Sequence, residues 1–411
     1  MTQRAGSPWS PRVGGFLVAE AISAIGSFAT MVAIWAFAAY KYDASAGEIS
    51  LYGVAFSLPG MILGPIGGVV VDRFGQRPVL LMAKALGVVA SLALLTANSF
   101  TELTLLSALH GVANTFARPA LTSLPPRMVD DEYLARTNAL VGLTEQLSIV
   151  LGPVAAGVAI ALFGFKGAFI FDAATYALGI AVLPLVHLRA VPHDPLLAAP
   201  HPLRDAFAGW GIVWRTPVVR RVVLATFTVH ALYGTAMLAE PLYVRDVLQR
   251  SPNVFSALQT MFGLLLVLGG VIAARKGDRL ANFRTVATCV AASGATAIVY
   301  LTTGSIVIAF VGAAAWGLFT GFIGGPSVTV LQRNTDEGAH GRVMATDMLA
   351  GNTAIFLGMG LGGLLIEALG VRSWILLLGT AVVVSGAALL AAEMRSDRPV
   401  EELPEQAGVP G

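Results

Sequence analysis

The sequence predicts an all-α membrane protein in which twelve transmembrane helices form two pseudo-symmetric six-helix bundles, with both termini cytoplasmic. Composition is the first reason, because 56% of the 411 residues are hydrophobic and only 12% are charged, about half the charge of a soluble domain. This amount of charge is too small to cover a water-exposed surface of this size. A soluble enzyme is therefore excluded. The second reason is a series of long apolar segments, and the third is a repeat that relates the two halves of the chain.

A transmembrane helix needs about 20 mostly apolar residues. Twelve segments meet this requirement, and most are joined by very short connections, so neighbouring helices are predicted to run antiparallel. The predicted spans are 14–40, 49–71, 78–98, 103–126, 137–162, 167–188, 221–244, 254–274, 285–303, 305–331, 343–368 and 371–394.

The distribution of basic residues predicts the orientation. If the N-terminus is cytoplasmic, only five of the 26 Lys and Arg residues lie on the outer side: Lys41, Lys166, Arg245, Arg250 and Arg372. Cytoplasmic loops of membrane proteins are enriched in Lys and Arg. The protein is therefore predicted to be a multi-pass protein of the bacterial inner membrane with both termini inside.

The second half of the chain repeats the first. At a shift of 206 residues several glycines and loop charges match, including Gly111 with Gly317, Arg127 with Arg333, Asp130 with Asp336 and Arg136 with Arg342. Because the charged pairs fall in corresponding loops, we predict a duplicated six-helix unit, which is the plan of many secondary transporters.

The predicted organisation has four parts. Residues 1–188 form the N-terminal bundle, 189–220 a cytoplasmic linker, 221–394 the C-terminal bundle and 395–411 a polar cytoplasmic tail. In the linker, the aromatic residues Phe207, Trp210 and Trp214 recur at i, i+3 and i+7 between arginines such as Arg204 and Arg215. This spacing predicts an amphipathic helix on the inner membrane surface; the alternative is a plain linker with aromatic anchors.

The stretch GGVVVDRFGQRPVL, residues 67–80, places charges on the turn between the second and third spans. Its marked residues are Gly68, Asp72, Arg73, Gly75 and Arg77. A glycine at position 68 permits close helix approach, a glycine at 75 permits a tight turn, and a carboxylate at 72 can meet the positive N-terminus of another helix.

This pattern resembles the signature loop G-x-x-x-D-R-x-G-x-R of the major facilitator superfamily. The resemblance implies a contact between the loop and the eleventh helix that closes the inner side in one state of a transport cycle. Asp347, near the start of that helix, is expected to cap it or to pair with the loop. Alternatively, Arg73 and Arg77 are only anchors of the positive-inside kind.

A closer resemblance is to the drug exporters of this superfamily, in the group that includes macrolide and siderophore exporters. It is carried by the segments AEAISAIGSFATMVAIWAF (19–37), FARPALTSLPPRMVDDEYLARTNAL (116–140) and LGPVAAGVAIALFGFKGAFIFDAATYALG (151–179). It implies a secondary transporter that exports amphipathic, drug-like small molecules by proton antiport and alternating access. The alternatives are a facilitator for the uptake or export of one specific metabolite, siderophore or lipid, and a non-transporting membrane scaffold.

Ionisable side chains inside a membrane span are candidate functional groups, because insertion costs about 2.5–3.5 kcal/mol each. Four are candidates for proton coupling: Glu20, Glu145, Asp172 and His110. The two glutamates have no opposite charge within a helical turn, and Arg118 is a candidate partner for either. For Asp172 the alternative is a carboxylate at a helix N-terminus near the outer face. For each of the others it is a hydrogen-bonded packing role.

The spans expected to face a central cavity offer mostly apolar side chains and a few amides. The substrate-cavity candidates are Phe28, Met31, Trp35, Asn114, Phe116, Gln146, Met237, Asn352 and Phe356. Such a cavity recognises shape and apolar surface, and an acid nearby would favour cationic compounds. No nucleotide-binding loop, metal-spaced cluster or nucleophilic triad is present in the sequence. The predicted partners are therefore a small molecule, protons and the bilayer, with no enzyme activity, cofactor, metal or nucleic acid, and the predicted state is a monomer.

Overall fold

The computed structural model describes residues 8–189 and 202–396, and the regular structure of these residues is helical throughout. The N-terminal half contains α1 (Pro11–Lys41), α2 (Ala46–Phe74), α3 (Gln76–Ala93), α4 (Phe100–Thr122), the single turn α5 (Pro125–Met128), α6 (Asp131–Phe163) and α7 (Phe165–Val182). After the linker helix α8 (Pro202–Arg215) come α9 (Pro217–Leu242), α10 (Pro252–Lys276), α11 (Phe283–Thr302), α12 (Ile306–Arg333), α13 (His340–Leu369) and α14 (Val371–Ser396).

Eleven helices in the described residues are long and apolar enough to cross a membrane. The short helices α5 and α8 lie outside this set. The one long helix of the described residues that also lies outside it is α4, which has 23 residues but includes Glu102, His110, Asn114 and Arg118. These polar groups lower its hydropathy without shortening it. Twelve spans, with α4 as the fourth, therefore remains a prediction, whereas the all-helical membrane architecture is confirmed.

Local sequence signals explain where several helices begin and end. Ser45 and Glu48 form a capping box at the start of α2, and Ser99 caps α4 through the backbone N–H of Glu102. Such caps satisfy N–H groups that have no partner within the helix. Between α2 and α3 the chain reverses at Gly75, whose φ of 85° is a conformation that favours glycine.

The predicted repeat appears as matching helix contacts in the two halves. Gly111 of α4 lies directly against the carbonyl oxygen of Phe56 on α2, and Gly317 of α12 lies in the same way against the carbonyl oxygen of Phe262 on α10. Each pair is shifted by 206 residues relative to the other. A Cβ atom at either glycine would collide with that backbone, so small residues set the helix spacing in both halves.

The two halves touch at one end of the bundle, which we call the outer side: the end where α1 finishes and α2 begins. There, Ser50 Oγ of α2 donates to the carbonyl oxygens of Met359 (2.8 Å) and Gly360 (3.1 Å) of α13. Arg245, just after α9, contacts the Asp43 carboxylate at 2.9 Å and the Ala39 carbonyl oxygen at 2.6 Å. These contacts join the N-terminal half to the C-terminal half.

Toward the opposite end, the inner side, the same helix faces separate. On α2, Met61 lies eleven residues after Ser50 and thus on nearly the same face, and its side chain is 50% exposed. On α13, Asn352 lies eleven residues before Gly363, which abuts Ser50, and is also exposed. The structure therefore has a gap between its halves that opens at the inner side.

The linker contains the helix α8, which packs against α13 at Gly209. The rings of Trp210 and Trp214 are stacked with centroids 6.5 Å apart, and Trp214 is 56% exposed. Of the predicted linker residues, the side chains of Arg204 and Phe207 lie outside the described residues, as do residues 397–411 of the predicted tail. The position of α8 on the membrane surface stays a prediction.

Cysteine labelling tests the predicted orientation. Asn253 is exposed at the start of α10, on the outer side, and Gly338 is exposed in the loop between α12 and α13, with open space around it. In a Cys289→Ala background, Asn253→Cys should react with a membrane-impermeant maleimide in intact cells. Gly338→Cys should react only after the membrane is opened. The reverse pattern would contradict cytoplasmic termini.

Candidate functional site

Four helices of the N-terminal half enclose a buried cluster of polar and ionisable side chains. On α1 the participants recur at i, i+3 and i+7, and the other helices contribute from facing positions. The members of this ion cluster are Glu20, Ser23 and Ser27 on α1, Lys84 and Ser91 on α3, His110 on α4, and Asp172 and Tyr176 on α7. The helical spacing places the polar groups on one face of each helix, turned toward the interior of the half.

At one end of the cluster, Glu20 pairs with Lys84. The ammonium nitrogen of Lys84 lies 2.9 Å from Glu20 Oε1 and 3.1 Å from Oε2. Glu20 is 5% exposed and Lys84 2% exposed, so this is a buried ion pair. The partner of Glu20 comes from a different helix, so it could not be found within a helical turn of the sequence, and it is not the candidate Arg118, which contacts Glu145.

Two glycines make room for the large members of the cluster. The stem of Lys84 lies against Gly179 of α7, and the ring of Tyr176 lies against Gly87 of α3. The Lys84 ammonium is also 5.7 Å from the centroid of that ring, within the range of a cation–π interaction. The close approach of α3 and α7 is therefore what buries the ion pair.

At the other end of the cluster, Asp172 accepts several contacts. Ser91 Oγ donates to its Oδ2 at 2.7 Å, Ser27 Oγ donates to its Oδ1 at 3.3 Å, and His110 Nε2 lies 3.1 Å from Oδ2. The Tyr176 hydroxyl is 3.2 Å from the same imidazole nitrogen. Asp172 has no exposed surface and lies two turns inside α7. The alternative of a helix-N-terminal carboxylate near the outer face was therefore wrong.

The cluster holds two carboxylates, one ammonium and one imidazole. With a neutral imidazole its formal charge is −1, and one added proton makes it neutral. A net charge in a low-dielectric interior is costly, whereas a balanced, hydrogen-bonded set is tolerated. With a neutral imidazole, the cluster therefore lacks one positive charge for balance.

Glu145 lies apart from this cluster. Its Oε1 is 3.6 Å from Nε of Arg118, and the two side chains are 54% and 71% exposed. Of the two acids considered as partners for Arg118, Glu145 is the one it contacts. Glu145 is four residues before Ile149, whose carbonyl oxygen meets Gly263 of α10 farther out. Its face of α6 therefore borders the gap between the halves.

The structure does not bring all nine cavity candidates together. Phe28, Met31, Trp35 and Met237 belong to one apolar cluster that spans both halves, and Trp35 is fully packed there. Phe116 belongs to a separate apolar cluster of the N-terminal half. The remaining candidates differ in exposure: Asn114 and Phe356 are partly buried, whereas Gln146 and Asn352 are exposed on faces that border the gap.

In the signature loop, Asp72 and Arg73 are exposed, and Arg77 donates to the carbonyl oxygen of Val186. Gly68 lies 18 residues after Ser50, about five turns along α2, and thus on the face that meets α13 at the outer side. The loop is therefore aimed at the start of α13, across the gap.

Asp347 is not turned toward this loop. It lies 16 residues before Gly363, about 160° around α13 from the face that meets α2. Its Oδ1 instead accepts a hydrogen bond from Thr226 Oγ1 of α9 at 2.8 Å. The expected pairing of Asp347 with the loop was wrong for this conformation, because the helix directs its side chain toward α9.

Sequence reasoning missed five members of the ion cluster, which are Lys84, Tyr176, Ser23, Ser27 and Ser91. Lys84 carried a usable signal, since a lysine inside an apolar span is a functional candidate. The three serines and the tyrosine carried none, because their role depends on which helices pack together. Within residues 8–189 and 202–396, no group of three or more His, Cys, Asp or Glu side chains is placed to hold a metal ion.

A known protein family matches this chain twice, once in each half. The family model of the Major Facilitator Superfamily matches residues 16–238 and again 222–410. Macrolide efflux protein A of Streptococcus pyogenes is 20% identical over 382 residues, which is 91% of this chain and 94% of that protein. Multidrug efflux pump Tap of Mycobacterium tuberculosis is 25% identical over 406 residues, covering 95% and 94% of the two chains.

Solved structures show the same fold. A bacterial homologue of the human lysosomal transporter Spinster, in an inward-facing and unoccupied conformation, aligns with a TM-score of 0.73 at 14% identity and covers 96% of this chain and 100% of that one. A POT family transporter in complex with a thioalcohol-conjugated peptide aligns with a TM-score of 0.74 at 14% identity, covering 96% and 99%. The chain thus belongs to the major facilitator superfamily: it is a multi-pass transporter of the bacterial inner membrane, not an enzyme.

Proposed function

We propose that this protein exports amphipathic, drug-like small molecules by proton antiport, with the ion cluster of the N-terminal half as its proton-binding site. The observation that carries the proposal is the buried set of Glu20, Lys84, His110 and Asp172, whose charge is balanced by one proton. Similarity to proteins named as efflux pumps supports the direction of transport.

Alternating access needs two arrangements of the halves around a site between them. The contacts between the halves through Ser50 and Arg245 at one end, and their separation toward the other, support one of these arrangements. A substrate can enter this gap from the inner side. Export then requires the halves to close there and to open at the outer side.

The gap supports recognition of apolar cations. Gln146 and Asn352 offer orienting amides, and Glu145 offers a carboxylate that remains half exposed beside Arg118. Methionine and aromatic side chains adapt to varied ligands, and Met31, Met237 and Phe28 lie only partly buried in the cluster that spans the halves. Several unrelated lipophilic cations are therefore the expected substrates. The carboxylate expected to select them is Glu145, because it is half exposed beside the gap, whereas Glu20 is buried against Lys84.

Transport by everted membrane vesicles tests the proposal. When respiration acidifies the vesicle interior, vesicles that contain the protein should accumulate lipophilic cations, and an ionophore that collapses the pH gradient should release them. Vesicles without the protein are the control. Accumulation of one polar metabolite, siderophore or lipid and of none of the cations would favour a specific facilitator instead.

The signature loop should matter in the state that is closed at the inner side. Asp72→Asn is expected to lower transport severalfold while leaving the amount of protein in the membrane near normal, because the carboxylate would meet the start of α13 only in that state. Transport rate per molecule in vesicles measures the effect. Asp278→Asn is the matched control, since Asp278 occupies the corresponding loop of the C-terminal half and is 88% exposed. If Asp72→Asn and the wild type transport at equal rates, the loop serves only as a positively charged anchor on the inner side.

A further inference from the structure

A second buried acid lies in the C-terminal half, outside the ion cluster. Glu240 of α9 is 3% exposed, and its Oε2 accepts a hydrogen bond from Gln259 Nε2 of α10 at 2.5 Å. Among the described residues, no Lys, Arg or His nitrogen lies within 4 Å of its carboxylate. A buried carboxylate without a cation is strongly disfavoured in its ionised form.

Glu240 is also close to the contacts that join the halves at the outer side. Arg245 follows it by five residues, beyond Pro241 and within a π-helical turn from Tyr243 to Val247. Proline removes a backbone donor, and π turns are frequent at functional sites. This break in α9 directs Arg245 across to the Asp43 carboxylate and the Ala39 carbonyl oxygen of the other half.

The partner of Glu240 lies on the second junction between the halves. Gln259 sits on α10 between Ser256, which packs against Gly157 of α6, and Gly263, which packs against the carbonyl oxygen of Ile149. These three positions are spaced as i, i+3 and i+7 and thus share the face of α10 that meets the N-terminal half. Glu240 is therefore one hydrogen bond away from the face of α10 that packs against the N-terminal half, and Gln259 itself is half-buried there.

We propose that Glu240 is a second proton-binding site, and that the outer junction between the halves closes only when its carboxyl is protonated. In the proposed antiport cycle, on which this role rests, the protein would bind a proton from outside while open outward and then close over a neutral Glu240. An ionised Glu240 would hold the outer side open, because closure would bury an uncompensated charge. The proton thus becomes a condition for returning to the inward-open state.

Other titratable groups near the outer junction would change the opening of the outer side with pH in the opposite direction to Glu240. From α12 the side chain that faces this region is the uncharged Trp316. The charged or titratable side chains on the other surrounding elements are Tyr40, Asp43, Glu48, Tyr233, Tyr243, Arg245, Asp246, Tyr300, Glu367 and Arg372. Ionisation of Asp43 strengthens its pair with Arg245 and favours closure. Ionisation of Glu240 favours opening, so the sign of the response separates the two carboxyls.

Distance measurements between spin labels test this proposal without requiring transport. Lys166 at the start of α7 and Asn253 at the start of α10 are exposed on the outer side, one in each half. With cysteines at both positions in a Cys289→Ala background, the interlabel distance should be short in mildly acidic buffer and shift to a longer population in mildly alkaline buffer. Glu240→Gln, which is always neutral and retains an acceptor for Gln259, should remain at the short distance throughout.

Matched variants make the result decisive. Glu367→Gln neutralises an exposed acid at the same side and should respond to pH as the parent does. If Glu240→Gln does not fold, Glu240→Met is a second neutral variant with the same expectation. A parent protein without a pH-dependent shift, or a neutral variant that shifts as the parent does, would overturn the proposal. Failure of proton antiport itself would appear instead in vesicle transport, with these distances unchanged.

Discussion

Replacing Lys84 by methionine is expected to lower the free energy of unfolding by about 3–5 kcal/mol, because it leaves the Glu20 carboxylate buried without its cation. Methionine retains much of the apolar stem that packs against Gly179. The loss of stability should therefore reflect the missing positive charge rather than a cavity. Combining Lys84→Met with Glu20→Gln should recover a large part of that loss. Thermal unfolding of the purified protein in detergent measures the three variants.

Arg118→Met is the control for this experiment. Its pair with Glu145 is exposed, and exposed pairs contribute only about 0–1 kcal/mol. If Lys84→Met unfolds at the same temperature as Arg118→Met, or if the losses from Lys84→Met and Glu20→Gln simply add, the two buried side chains are not coupled by charge.

Replacing Asp172 by asparagine is expected to abolish uphill export while downhill exchange of substrate continues. The amide oxygen can accept the hydrogen bond of Ser91, and the amide nitrogen can donate to Ser27 Oγ. The amide cannot carry a proton, however, and the cluster would lose the charge that the proton balances. Uptake into energised everted vesicles measures uphill transport, and counterflow of labelled substrate without a pH gradient measures exchange.

The conservative change of a surface acid serves as the control for this prediction. Asp130→Asn removes a partly exposed partner of Arg189 at the inner side and should leave both activities near those of the wild type. If Asp172→Asn still exports substrate against a gradient, proton coupling does not depend on the ion cluster. Loss of counterflow as well would show that Asp172 is needed for the conformational change rather than for coupling alone.

Most of the helical architecture follows from local sequence properties. Apolar length predicts where helices lie, and polar turns predict where they end, although α6 begins at Asp131, six residues before the predicted span. That difference has a simple cause, because a helix continues past the membrane boundary for as long as its backbone is capped. Hydropathy alone fails for α4, where functional polarity around His110 and Asn114 outweighs apolar residues.

The candidate site was only partly predictable, because it depends on which helix faces pair. Glu20, His110 and Asp172 were recognisable as ionisable groups at membrane depth. Their joining into one cluster requires α3 and α7 to approach through Gly87 and Gly179, and single-helix periodicity does not reveal partners. Lys84 was counted with the basic residues of the inner side, although it lies inside a span. The rotation of Asp347 toward α9 likewise follows from packing rather than from its position in the chain.

The ion cluster is built by one half of the molecule, whereas the gap is lined by both. Mutations at the gap, at Gln146 or Asn352 for example, therefore leave the pairs Glu20–Lys84 and His110–Asp172 untouched. Under the proposed function, a lineage can accordingly acquire resistance to new compounds through changes at the gap, without changes to the proton-binding residues. Under the same proposal, an inhibitor bound in the gap would select for resistant variants with intact proton coupling, whereas a compound that acts on the enclosed cluster would leave far fewer ways to become resistant.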